Sequence, residues 1–249
     1  MRFVESNLPD GRVRLVIVDR NAPDELFSYL DKRNIKYIKS LYIKNCIDAV
    51  STHPDMQICN LGGGNFVCEP STYEYYKKAL GIYGANVSSG EISVGCNYPH
   101  DIAYNVVIAG NLLMHNTSHT EPEILKSAKH SGFSICNVKQ GYTKCAVCIV
   151  SDKAFVTSDY GIYKACLQNS ADCLLIPGDS IMLGKRTDGF IGGCCGLISD
   201  KELLFCGNFS RLKSCGKLEA FLNSHGVSPV SAYDGPIADI GSIIPVMQE

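Results

Sequence analysis

Five apolar runs, each entered through a polar loop, recur along the chain at almost constant spacing. Aligned at their starts, Asp55, Asp101, Cys145, Gly193 and Asp239 stand 46, 44, 48 and 46 residues apart. Such a period marks a repeat architecture, in which each unit is one supersecondary element that buries its apolar face only against its neighbours. The pattern within the period also repeats. A first apolar run leads through a hairpin turn to a second, then to a stretch with apolar residues at helical spacing, then to a last run. The hairpins are "GGGNFVC", "AGNLLMH", "SDKAFVT" and "SDKELLFCG", where Gly, Asn or Ser-Asp separates two β-prone segments. The helical stretches are "STYEYYKKAL", "TEPEILKSAKH", "SDYGIYKACLQN" and "GKLEAFLNSHG". The first three open with Ser or Thr, residues that commonly cap helices. The repeating unit is ββαβ.

A fifth unit is split. "PIADIGSIIPVMQE" supplies its first strand, while "VRLVIVD", "APDELFSYLDKRN" and "IKYIKSLYI" supply the rest, so the ring closes across the two ends. The expected organisation is a single α/β domain over residues 1–249, with units at about 51–92, 96–138, 139–178, 184–232, and 233–249 plus 11–46. A WD40-type propeller has a similar period but four strands per blade and no helices. A doubly wound nucleotide-binding sheet needs a Gly-rich loop running from strand into helix, whereas "LGGGN" runs into the strand-like "FVC".

A net charge of −2 with no basic block argues against nucleic acid and anionic membranes as partners. The opening "MRFVESNLPDGRVRLVIVDR" lacks a signal-peptide apolar core, and no run reaches the length of a membrane span, so the cytoplasm is the expected compartment. The 13 cysteines lie mostly inside apolar runs such as "MQIC" and "ADCLLI", as small hydrophobes in a reducing environment do. Cys145 and Cys148 make half a zinc motif. On a strand, however, their three-residue offset turns the side chains to opposite faces, and neither a metal nor another cofactor is expected.

The segments "HPDM", "DIAYNV", "VKQGYTKC", "GFIGG" and "DIGSIIP" resemble those of the guanidine-modifying enzyme superfamily. Its pentein fold is a five-bladed α/β propeller of ββαβ units around a pseudo-fivefold axis. The chain looks closest to an uncharacterised, mostly clostridial family of that fold. In the superfamily's enzymes a cysteine nucleophile and a histidine lie two units apart at strand ends, with carboxylates that hold a guanidinium. Carried over, this implies Cys145 as nucleophile, His53 as acid and base, and Asp55 beside them. Asp239, Asp101 and the adjacent cation Lys144 are the substrate-binding candidates, and His100, Cys194 and Cys195 are held in reserve. Two departures stand out: Gln140 replaces a glycine of the cysteine motif, and the order of units is circularly permuted.

The implied function is hydrolysis or amidino transfer on a small guanidino or amidine compound through a covalent cysteine intermediate. The alternative is a non-catalytic pentein that binds a cationic metabolite or a macromolecule, with Cys145 a buried core thiol and the aspartates ordinary turn residues. A catalytic Cys145 is expected to have a low pKa, to be exposed to the channel, and to alkylate fast near neutral pH. His115, at the end of a second strand, is expected in a surface or turn role.

Overall fold

The computed structural model describes residues 1–178 and 180–249, and in them five small sheets follow one another along the chain. After an edge strand β1 (Arg2–Phe3) come β2 (Val13–Val18), α1 (Asp24–Lys32) and β3 (Lys36–Lys39). The first uninterrupted unit is β4 (Ile58–Gly62), β5 (Asn65–Cys68), α2 (Tyr73–Gly81) and β6 (Asn86–Ser89). The second is β7 (Val107–Ala109), β8 (Leu112–His115), α3 (Pro122–His130) and β9 (Ser134–Asn137). The third opens with a one-turn helix, α4 (Thr143–Ala146), ahead of β10 (Val147–Ser151), β11 (Ala154–Thr157), α5 (Tyr160–Gln168) and β12 (Asp172–Leu175). The fourth is β13 (Cys195–Leu197), β14 (Glu202–Phe205), α6 (Cys215–Ser224) and β15 (Ser228–Ser231), after which β16 (Ile244–Gln248) returns to β2.

In every unit the first two strands pair antiparallel, and the helix carries the chain to a third strand parallel to the second. The split unit obeys the same rule. Ile244 of β16 lies opposite Ile17 of β2 in an antiparallel pair, and Ile17 lies opposite Ile38 of β3 in a parallel one. β1 adds a short edge strand on β16, on the side away from β2, which the repeat does not foresee.

Five apolar clusters fill the spaces between sheets, one for each neighbouring pair around the ring. Along β10, Val147 and Ile149 enter the core shared with the second unit, and Cys148 and Val150 the core shared with the fourth. Both strand faces are buried, so the runs read as continuously apolar rather than alternating. The first strands stand innermost. β10 packs against β7 and β13, β13 packs against β16, and Asn60 of β4 donates from Nδ2 to Pro245 O of β16 at 2.9 Å, closing the circle. The architecture is the expected five-bladed α/β propeller.

Three local expectations change. α3 and α5 are capped not by Thr120 or Ser158 but by the next residues, Glu121 and Asp159, whose carboxylates accept the N–H groups of Glu123 (3.1 Å) and Ile162 (2.9 Å). Glu69 likewise takes the N–H of Ser71 at 2.8 Å ahead of α2. A carboxylate there gains from the helix dipole as well as from the hydrogen bond. "IKYIKSLYI" is a strand only to Lys39. Cys145 lies in α4 rather than on a strand, because Thr143 Oγ1 bonds Gln140 O at 2.7 Å and Gln140 Oε1 accepts the N–H of Tyr142 at 3.1 Å, winding the segment into a turn.

The segment before β2 hooks across the far end of the axis. Asn7 donates from Nδ2 to Ile108 O (3.0 Å) and Asn60 O (3.3 Å), and Leu8 packs on the cores either side of the third unit. Only about 10 Å³ of space remains beside Asn7 and Lys144. Among the described residues the far end of the axis is thus nearly filled, and the cavity that reaches Cys145 opens at the near end, where the chain enters each first strand. Among the described residues no helix is long and apolar enough to cross a membrane.

Candidate active site

The five positions of the sequence repeat fall two to six residues ahead of the first strand of their units, which gathers them at the near end of the axis. Cys145 is 2% exposed. Its Sγ donates to Asp55 Oδ2 at 3.0 Å and receives the Asn105 amide from Nδ2 at 3.2 Å. Asn105 Oδ1 also accepts the backbone N–H groups of Lys144 (2.8 Å) and Cys145 (3.2 Å), satisfying donors that a one-turn helix leaves free.

His53 precedes a short 3-10 turn, Pro54–Met56, that holds Asp55. Its ring lies between two carboxylates, with Nδ1 3.8 Å from Asp239 Oδ1 and Nε2 3.9 Å from Asp19 Oδ2. Asp19 is fixed by the hydroxyl of Thr52 (2.9 Å) and the N–H of Asn21 (2.7 Å). Asp239 is fixed by the N–H groups of Phe190 on Oδ2 (2.9 Å) and Gly241 on Oδ1 (3.0 Å). Two glycines make room for this packing. A Cβ on Gly193 would overlap the Asp239 carboxylate, and one on Gly241, whose φ is +66°, would overlap His53.

Behind the thiol, Lys144 Nζ donates to Ser242 Oγ at 3.0 Å, and Ser242 Oγ lies 3.1 Å from Asp55 Oδ2 and 3.0 Å from Gly192 O. Ser242 is fully buried with φ +74°, a strained backbone for a residue with a side chain. A cavity of about 260 Å³ opens onto Cys145 and Asp239, bounded by Tyr142, Phe190 and Leu183, with Arg186 and Asp188 paired at its rim.

Burial, then the nearby Asp55 and Asp239 charges, push the Cys145 thiol well above its ordinary range. Burial likewise raises the Asp239, Asp19 and Asp101 carboxylates. The expectation of a low-pKa, channel-exposed thiol is thus corrected: without a ligand the sulfur is protonated and shielded. Among the described residues four buried side-chain polar atoms have no hydrogen-bond partner, and three of them, His53 Nδ1, Asp55 Oδ1 and Asp101 Oδ1, belong to this end of the ring, the fourth being the Tyr29 hydroxyl.

Cys145, His53, Asp55 and Asp239 are thus brought together. Asp101 stands to one side, its Oδ2 taken by the Tyr142 hydroxyl at 2.5 Å. Lys144 does not reach the cavity, because its ammonium is tied to Ser242 on the axis. His100 is exposed and takes no part in the cluster. Cys194 and Cys195 turn their thiols to Ile191 O and pack in the core between the third and fourth units. His115, far from a surface role, is fully buried with Nε2 2.9 Å from Gly141 O, at the root of the Cys145 turn. Asp19, Asn105 and Ser242 were not foreseen. A lone Asn inside the apolar run "AYNVVIA" is a readable signal for the second, whereas nothing in the sequence marks a positive φ at the third.

A family profile described as "Family of unknown function (DUF6873)" matches residues 17–244. No curated protein sequence matches the chain. Among solved structures, the chain is similar to inosamine-phosphate amidinotransferase StrB1 from Streptomyces griseus, with a TM-score of 0.60 at 13% identity over 100% of this chain and 97% of that one. It is similar to SxtG, an amidinotransferase of the saxitoxin biosynthetic pathway from Microseira wollei, at TM-score 0.58 and 11% identity, covering 92% and 91%. An agmatine deiminase from C. jejuni follows at TM-score 0.55 and 7% identity, covering 93% and 90%.

Proposed function

Because the chain belongs to the DUF6873 family, whose function is unknown, and has the pentein fold of amidinotransferases and an agmatine deiminase, we propose its function from its own site. It is an enzyme that attacks the central carbon of a small guanidinium or amidinium through Cys145, either hydrolysing it or passing its amidino group on. The observation that carries this reading is a thiol buried among carboxylates, beside acceptor atoms that lack donors. A flat cation rimmed with N–H donors supplies what Asp55 Oδ1 lacks, in the reverse of an Arg–carboxylate fork. The small cavity suits a compact ligand.

The same ligand activates the nucleophile. The carboxylate charges that keep the thiol protonated are neutralised when a cation binds between them, so the thiolate forms once substrate is present. The thiol gives its proton to His53, and the sulfur adds to the guanidinium carbon to give a tetrahedral adduct. His53, steadied by Asp19 and Asp239, protonates the departing amine and then draws a proton from the water or acceptor amine that displaces the sulfur. Lys144, through Ser242, holds Asp55 in place from behind.

Brief treatment with 2-chloroacetamidine, followed by intact-mass measurement and peptide mapping, tests this reading, with neutral iodoacetamide as control. We expect the amidine to label Cys145 near neutral pH, while iodoacetamide takes the exposed Cys96 and half-buried Cys215 first. Asp239→Asn should reverse the selectivity, because losing the charge lowers the thiol pKa and removes a cation partner. An amidine reagent that labels no better than iodoacetamide at Cys145 would make the protein a cation-binding pentein without covalent chemistry.

A further inference from the structure

A second gathering of charge lies at the end of the ring opposite Cys145. There the turn between β13 and β14, the start of β2 and the end of α1 enclose an open groove of about 560 Å³, where the split unit meets the fourth. Across this seam the Val13 N–H donates to Ile198 O at 2.9 Å. Arg12, Arg14, Lys32, Arg33 and Lys201 line the groove, against two carboxylates, Asp200 and Glu202. The lining thus carries +3 on a chain whose net charge is −2. These cations come from three segments far apart along the chain, so no basic block announces them and folding alone assembles them.

Two of the five are already held. Arg14 pairs with Glu249, and Arg33 pairs with Glu202 while its guanidinium carbon lies 5.9 Å from the centre of the Tyr29 ring. Among the described residues the side chains of Arg12, Lys32 and Lys201 make neither an ion pair nor a hydrogen bond. Like charges facing one cleft repel one another and focus the local field, so an anion placed between them gains both from attraction and from the repulsion it relieves.

We propose that this groove binds a small polyphosphate, a compact anion with three or more phosphate charges in a row. Guanidinium forks match phosphate oxygens in pairs, and the lysines add point charges that adapt to them. The volume is that of a small-molecule site. No aromatic side chain lines the groove, so nothing there stacks on a nucleobase, and affinity follows the phosphate chain whether or not a nucleoside is attached. A ligand that joins Arg12 and Lys32 of the split unit to Lys201 of the fourth also holds the seam together. By mass action it stabilises the closed ring. The site shares no residue with the cavity at Cys145, and the proposal does not depend on the chemistry proposed there.

Isothermal titration calorimetry of the full-length chain with sodium tripolyphosphate, in metal-free buffer near neutral pH, tests the site, with the melting temperature followed in parallel. We expect one triphosphate per chain, a raised melting temperature, and affinity falling from triphosphate to diphosphate to phosphate. ATP should match inorganic triphosphate within about threefold. Raising monovalent salt from about 50 to 200 mM should weaken binding roughly tenfold or more. The combined variant Arg12→Gln, Lys32→Gln, Lys201→Gln should lose at least about tenfold in affinity. Lys126→Gln and Lys164→Gln, on helices of other units, should bind as the parent does. Circular dichroism melting before ligand addition identifies the folded variants. No saturable binding to the folded parent, unchanged affinity in the folded combined variant, or tighter binding of hexaglutamate than of triphosphate would each overturn the site. None of these readouts uses a guanidino compound, so failure here is distinct from failure of amidine labelling.

Discussion

At His115 one buried ring couples stability to the nucleophile's turn. Nε2 meets Gly141 O at 2.9 Å and Nδ1 meets Thr120 Oγ1 at 2.6 Å, so the neutral ring satisfies both contacts by donating from Nε2 and accepting at Nδ1. Burial lowers its pKa from 6.5 to about 4. Between those values the unfolded chain binds the proton and the folded one does not, so the stability from this group is complete above pH 6.5 and is lost as pH falls toward 4. The full swing is roughly 3 kcal/mol. Denaturant unfolding from pH 7 to 4 should therefore show a shallower acid loss in His115→Gln than in the parent, and parallel curves would refute it. That Cys145, Asp55 and Asp239 meet at one end of the ring was legible because the repeat registers them there, whereas His53 and the roles given to all four came from the resemblance alone. Ser242 was not legible, and Asn105 showed only as a lone polar residue in an apolar run, since each acts through contacts made only when distant units meet.

Among the elements, α4 and α5 are joined through Asp159. Its Oδ1 caps α5 and its Oδ2 accepts Gln140 Nε2 at 3.1 Å, while the rest of Gln140 winds the turn that presents Cys145. Asp159→Ala should cost about 1 kcal/mol as a lost cap. Asp159→Ser should restore most of that stability and still slow amidine labelling, because a shorter side chain caps the helix without holding Gln140. Equal labelling rates in Asp159→Ser and the parent would uncouple the two elements. Strands and helices were readable from periodicity. The one-turn helix was not, because the hydrogen bonds of Gln140 and Asn105 that wind it are invisible to a pattern of apolar residues.

For the whole molecule, the repeat fixed the number of blades and the split unit, but not what seals the ring. The hook of residues 4–8 buries Val4 completely, satisfies two strand carbonyls through Asn7, and rests Leu8 on two cores. Deleting residues 1–10 should lower stability by at least about 3 kcal/mol, read from denaturant midpoints. An unchanged midpoint would make the hook an ornament. The split unit also sets an order of events during synthesis. β2 leaves the ribosome with its inner edge bare and stays so until residues 244–248 emerge to pair with it. Asp239 and Ser242 arrive in that same late segment. A nascent chain therefore carries Cys145 with Asp55 and Asn105 long before Asp239 and Ser242, so the blade that closes the ring is also the one that completes the polar shell around the thiol.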